Sequence, residues 1–180
     1  MIPMVKARLK LEADVLGLLL LCIGISAFIF MPLAGALVQR FGCKKVVITG
    51  ATLMALISVL LSCLQNIWSY AIALAFFVSV MGATDVSMNT NAVIVEKLAG
   101  RRLLSGMHAF WSIGCFASAG LFSVLASSGS NVTLIATLHC AIVLALLAVF
   151  GRHLLDYKIP GGEKAFAIPR GIVIVLGILA

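Results

Sequence analysis

GALVQRFGCKK, residues 35–45, is a short basic break between two long apolar runs, and the reading of the fold turns on it. On its left, residues 15–38 hold no charged side chain, and on its right neither do residues 46–64. A helix needs about 20 mostly apolar residues to cross a ~30 Å hydrocarbon core, so each run is long enough for one crossing. The same pattern then recurs along the chain. Further runs cover 70–96, 104–127 and 131–150, a sixth opens near Arg170 and reaches Ala180, and the breaks between them are short and polar. Strands of a membrane barrel show about ten residues of alternating polarity, and these runs are too long and too continuous for that. The expected class is all-α, a polytopic bundle of membrane helices.

Composition agrees. The 180 residues are 63% hydrophobic and 11% charged, with a mean hydropathy of +1.21. Soluble domains carry about 25% charged residues. The five cysteines, at positions 22, 43, 63, 115 and 140, form no CxxC pair and read as small apolar fillers, with Cys43 in a polar loop. A net charge of +7 does not point to nucleic acid, because the basic residues fall in clusters between apolar runs and not along one stripe. No Walker loop, HExxH, GxSxG or zinc-ligand spacing occurs, so no metal, cofactor or enzymatic activity is expected. Asn131-Val132-Thr133 has the form of a glycosylation triplet, which is common by chance.

Alternate breaks hold ten of the 13 Lys and Arg residues. The excess of positive charge places the loops near 39–45, 97–103 and 151–169 in the cytoplasm. Lys6, Arg8 and Lys10 then fall on the outer side, where a basic amino-terminal segment is not expected. A helix preceding Met1 resolves the conflict, with 1–14 as the outer loop that follows it and 170–180 as the start of a truncated helix. The expected chain is therefore a piece of a longer protein. Residues 1–14 lack the apolar core and cleavage site of a secretory signal. Asp14 is the expected N-cap of the first span, Trp68 and Tyr70 suit an outer-interface belt, and Pro160, Gly161 and Gly162 interrupt the long loop.

The break at 35–45 also resembles the signature loop of the major facilitator superfamily, G-x-L-(A)-D-R-x-G-R-(K/R)-(K/R), which joins that family's second and third helices. Gly35, Leu37, Arg40, Gly42, Lys44 and Lys45 match, while Gln39 stands in place of the usual aspartate and Cys43 in place of a frequent arginine. The resemblance implies helices two to six and the start of seven, with 151–169 as the central cytoplasmic loop. It further implies that Gly35, Arg40, Gly42, Lys44 and Lys45 belong to a gating loop, and that the missing partners are helix one and a carboxy-terminal half.

Within the apolar run 70–96, the stretch GATDVSMNTNAVIVEK, residues 82–97, is anomalous. At about 100° per residue Asp85, Asn89 and Glu96 share one stripe, whereas Asn91 points elsewhere. Glu96 sits at the rim, solvated or paired with Arg101 or Arg102. Asp85 lies deeper, where carboxylates are costly and face cavities or partners. A carboxyl held away from water favours its neutral form, which makes Asp85 the proton-coupling candidate. The next run opens SGMHAFWSIG, placing His108 and Ser112 at i,i+4 with Trp111 beside them. Asn89, His108, Trp111 and Ser112 are the substrate-pathway candidates, with His108 within reach of Asp85 if the two runs pack antiparallel. His139 reads as structural, and Gly114, Ser118, Ala119 and Gly120 as a face for close helix contact.

These two segments resemble a subgroup of bacterial inner-membrane facilitator proteins of mostly unassigned substrate. More loosely, they are similar to fucose–proton symporters, which carry an acid, three residues and then Asn in helix four. That likeness implies a protonatable role for Asp85 and a substrate-side role for Asn89. The expected function is proton-coupled uptake of a small polar solute, a sugar among the candidates, by alternating access in the bacterial inner membrane. The alternatives are a non-transporting membrane fragment or scaffold, and an intramembrane enzyme using Asp85 with His108.

Overall fold

A computed structural model of the chain describes residues 12–158. The expectations for the basic amino-terminal segment, for Pro160 to Gly162 and for the run beginning at Arg170 lie outside them. Five α-helices follow one another: α1 (Ala13–Phe41), α2 (Cys43–Cys63), α3 (Ile67–Ala99), α4 (Leu104–Ser127) and α5 (Val132–Phe150), with a short 3-10 turn at Gly151–His153. Among the described residues, Cys43–Cys63, Ile67–Ala99, Leu104–Ser127 and Val132–His153 are each long and apolar enough to cross a membrane.

The breaks have local causes. Gly42 alone separates α1 from α2, at φ +85°, a conformation that suits glycine because no Cβ opposes it. Asn66 begins α3, its side-chain oxygen accepting the amides of Trp68 at 2.8 Å and Ser69 at 3.4 Å. The Asn131 side chain likewise accepts the Thr133 amide at 2.9 Å, so the glycosylation-like triplet serves as a helix cap. At the first helix the expectation fails. Asp14 lies inside the first turn, and the cap position is Glu12, whose side chain makes no capping bond.

The core forms where α3 packs on α1 and α2, with α5 against α2. At one end, Ile57, Leu61, Tyr70 and Ala73 form a buried cluster. Tyr70 is thus a core residue and not part of an interface belt, whereas Trp68 is 76% exposed. Further along, Gly50 lets α2 approach the Thr84 side chain on α3 so closely that no Cβ fits between them. Polar side chains within the helices bond back to their own backbone: Thr52 to Ile48, Ser79 to Ala75, Thr84 to Val80 and Ser87 to Ala83. A hydroxyl without water nearby has no cheaper partner.

α4 stands apart. It buries none of its residues, and Phe110 and Phe116 are exposed. Gly114 and Gly120, expected at a close helix contact, have nothing within 4 Å of a built Cβ. Gly114 and Gly120 therefore meet no close neighbour among the described residues.

Candidate functional site

Asp85 lies near the middle of α3, which spans 33 residues. At 1.5 Å rise per residue it stands ~27 Å from the helix start and ~21 Å from its end. It is half-buried, as is Asn89 one turn later, and the Asn89 amide donates to Asp85 Oδ2 at 3.3 Å. The structure therefore brings these two candidates together. One oxygen of the carboxyl is thus engaged by a neutral amide donor from the next turn of the same helix.

His108, Trp111 and Ser112 occupy the first turns of α4 and are all exposed. Ser112 donates to the His108 carbonyl at 3.1 Å, a bond within the helix. Among the described residues no hydrogen bond joins His108 to Asp85. The two halves of the expected site thus sit on helices with different surroundings: α3 is enclosed by α1 and α2, and α4 is open.

The gating-loop candidates lie around the α1–α2 turn. Gly35 is half-buried in α1, while Arg40 is exposed with its guanidinium 5.2 Å from the centre of the Phe41 ring. Gly42 is buried, and Lys45 is exposed. Lys44 donates from Nζ to the Arg152 carbonyl at 2.9 Å, and the Cys43 amide donates to the Tyr157 carbonyl at 2.9 Å. Cys43 is the first residue of α2 and is fully buried, where the sequence reads as a polar loop.

A match to the description Major Facilitator Superfamily extends over residues 1–179. The chain belongs to the major facilitator superfamily. It is similar to an uncharacterised MFS-type transporter of Yersinia pestis, 39% identical over 180 residues that make up 99% of this chain and 47% of that protein. It is also similar to the membrane protein MosC of Rhizobium meliloti, 32% identical over 93% of this chain and 40% of that protein. An uncharacterised transporter of Sinorhizobium fredii is 34% identical over 113 residues, 63% of this chain and 30% of that protein. The chain spans about half or less of the length of these curated relatives. No solved structure matches it.

The contacts of two polar side chains in this facilitator chain escape a reading of the sequence. Glu96, expected to be solvated or paired with Arg101 or Arg102, accepts the backbone amides of Leu103 at 2.7 Å and Leu104 at 2.9 Å, with the Arg102 charge also acting on it. The N-cap position of α4 is Leu103, whose side chain cannot accept a bond, and the carboxylate seven residues earlier takes that role across the Gly100 turn. Carboxylates suit helix N-termini because the free amides there carry partial positive charge. Glu96→Ala is expected to speed hydrogen exchange at the Leu103 and Leu104 amides by about tenfold while leaving the middle of α3 unchanged. Amide-resolved exchange checks this. The other position is Asn91, buried on α3 with its amide donating to the Leu155 carbonyl at 2.8 Å. Only the contrast between a polar amide and its apolar helix face marks it in the sequence.

Proposed function

We propose that this chain forms the amino-terminal helical half of a secondary active transporter that takes up a small polar solute with protons across the bacterial inner membrane. The observation that carries the reading is the hydrogen-bonded Asp85–Asn89 pair in the middle of a membrane-length helix. A carboxyl at that depth is expensive unless it faces a pathway or a partner. Membership of the major facilitator superfamily and the transporter names of two relatives support a transport role. Alternating access by rocking of one helical body against another agrees with a site at mid-membrane depth. The likeness of Asp85 and Asn89 to the acid–Asn spacing of fucose–proton symporters makes sugars the first solutes to screen. In this scheme Asp85 takes and releases the proton, Asn89 holds its carboxyl and faces solute, and His108, Trp111 and Ser112 line the opposite wall when α4 is covered.

The test uses the full-length transporter in liposomes with an imposed pH gradient and labelled sugars and other small polar solutes. Accumulation is expected to rise with the gradient and to collapse when a protonophore is added. Uptake that ignores the gradient would refute proton coupling, and failure to move any solute would refute the transport reading.

A further inference from the structure

Residues 152–158 leave α5 and cross one end of the bundle, and three polar groups from two other elements hold them there. Lys44 Nζ donates to the Arg152 carbonyl at 2.9 Å, the buried Asn91 amide to the Leu155 carbonyl at 2.8 Å, and the Cys43 amide to the Tyr157 carbonyl at 2.9 Å. All three acceptors are main-chain oxygens, one in the 3-10 turn Gly151–His153 and two in the non-helical residues that follow it. Beneath them lies Gly42, where a Cβ would come within 3.2 Å of Asp156 Oδ1 and 3.3 Å of the Tyr157 carbonyl. Only a glycine permits both the positive φ and this approach. Cys43, next to Gly42 and bonded to Tyr157, is 0% exposed. A buried amide that loses its acceptor pays the cost of desolvation, so Asn91 favours the seated segment strongly over a detached one.

We infer that Asn91 is a positioning residue which, with Lys44 and the Cys43 amide, clamps residues 152–158 over the α1–α2 turn, so that the turn, α3 and the segment leaving α5 shift as one body. Asn91 is six residues from Asp85 on the same helix. The clamp therefore joins the helix of the polar pair to the basic turn through hydrogen bonds to main-chain carbonyls. Its role in transport rests on the reading above; the clamp itself does not.

Cys43 reports on the clamp directly. In full-length protein with Cys22, Cys63, Cys115 and Cys140 replaced by serine, and with any cysteines beyond this segment also removed, the rate at which a water-soluble maleimide modifies Cys43 measures how often the segment lifts. The parent is expected to react far more slowly than the same protein unfolded in denaturant. Asn91→Leu is expected to react about tenfold faster than the parent and Lys44→Ala about threefold faster, in line with the loss of one hydrogen bond each. Asn91→Gln keeps an amide donor and is expected to stay within about twofold of the parent. Lys44→Ala changes only an amine at the rim, so it decides the matter even if Asn91→Leu fails to fold. The clamp is refuted if Cys43 of the parent reacts as fast as in the unfolded protein, or if folded Asn91→Leu and Lys44→Ala both react at the parental rate. Asn91→Gln reacting as fast as Asn91→Leu would remove the amide from its proposed role. Labelling needs no transported solute, so these outcomes stand apart from success or failure of the transport reading.

Discussion

Asp85→Asn in the full-length transporter is expected to abolish accumulation of solute against its gradient while leaving downhill movement intact. The substitution is nearly isosteric. The new side chain keeps an oxygen that accepts from the Asn89 amide, the bond seen at 3.3 Å, so the local structure of α3 survives. What it loses is the ability to take and release a proton. A difference of one pH unit across the membrane corresponds to about 1.4 kcal/mol per proton, or about tenfold accumulation for one proton per solute. The variant is expected to fall from that level to equal concentrations on both sides, and its exchange of solute is expected to lose its pH dependence. Accumulation that persists with the parental pH profile would remove Asp85 from the coupling site. Asn89→Ala gives the complementary result: weaker solute binding with coupling retained, because the carboxyl remains.

The second large effect concerns the helix contact that holds α3 in place. Gly50→Ala is expected to destabilise the folded protein by about 2 kcal/mol, within the ~1–3 kcal/mol range of overpacked cores. The added methyl would fall on the Thr84 hydroxyl, which already donates to the Val80 carbonyl at 2.8 Å. Replacing glycine by alanine within a helix ordinarily gains roughly 0.5–1 kcal/mol, so the clash must exceed that gain for the sign to come out as expected. Thr84→Ala removes the obstructing hydroxyl. Alone it is expected to cost about 1 kcal/mol, the net worth of one hydrogen bond. Combined with Gly50→Ala it is expected to recover most of the loss, which is the non-additivity of residues in contact. Reversible unfolding in lipid–detergent mixtures measures all three variants. A fully additive pair of losses would show that α2 and α3 are not in contact at these positions.

The helical class was legible because the physics of the bilayer leaves few options: runs of this length and apolarity form helices, and the basic break holding Gly42 separates the first two. Asp85 and Asn89 were legible as a pair because a spacing of four residues puts them on one face, and they bond as that spacing implies. Asn91 was not legible, since its partner lies 64 residues away and is a carbonyl oxygen that every residue carries. Glu96 escaped for a related reason. A search for opposite charges finds Arg102, whose charge does act on it, but not the two backbone amides, freed by the start of α4, that the carboxylate accepts. The expected closeness of His108 to Asp85 assumed that consecutive antiparallel helices pack along their length. α4 instead fully buries none of its residues, and His108 stays exposed, since a short connection fixes only where a helix begins.

The length of α3 has a mechanical consequence. Its 33 residues extend ~50 Å, well beyond a ~30 Å hydrocarbon core, with the Asp85–Asn89 pair near its midpoint. A rigid rod pivoting there works as a two-armed lever. A rotation of about 10° about Asp85 moves the Ala99 end, ~21 Å away, by ~4 Å, and swings the opposite end the other way. Any such rotation would leave the Asp85–Asn89 bond unchanged, because it lies within the rod, and would be enlarged toward both helix ends.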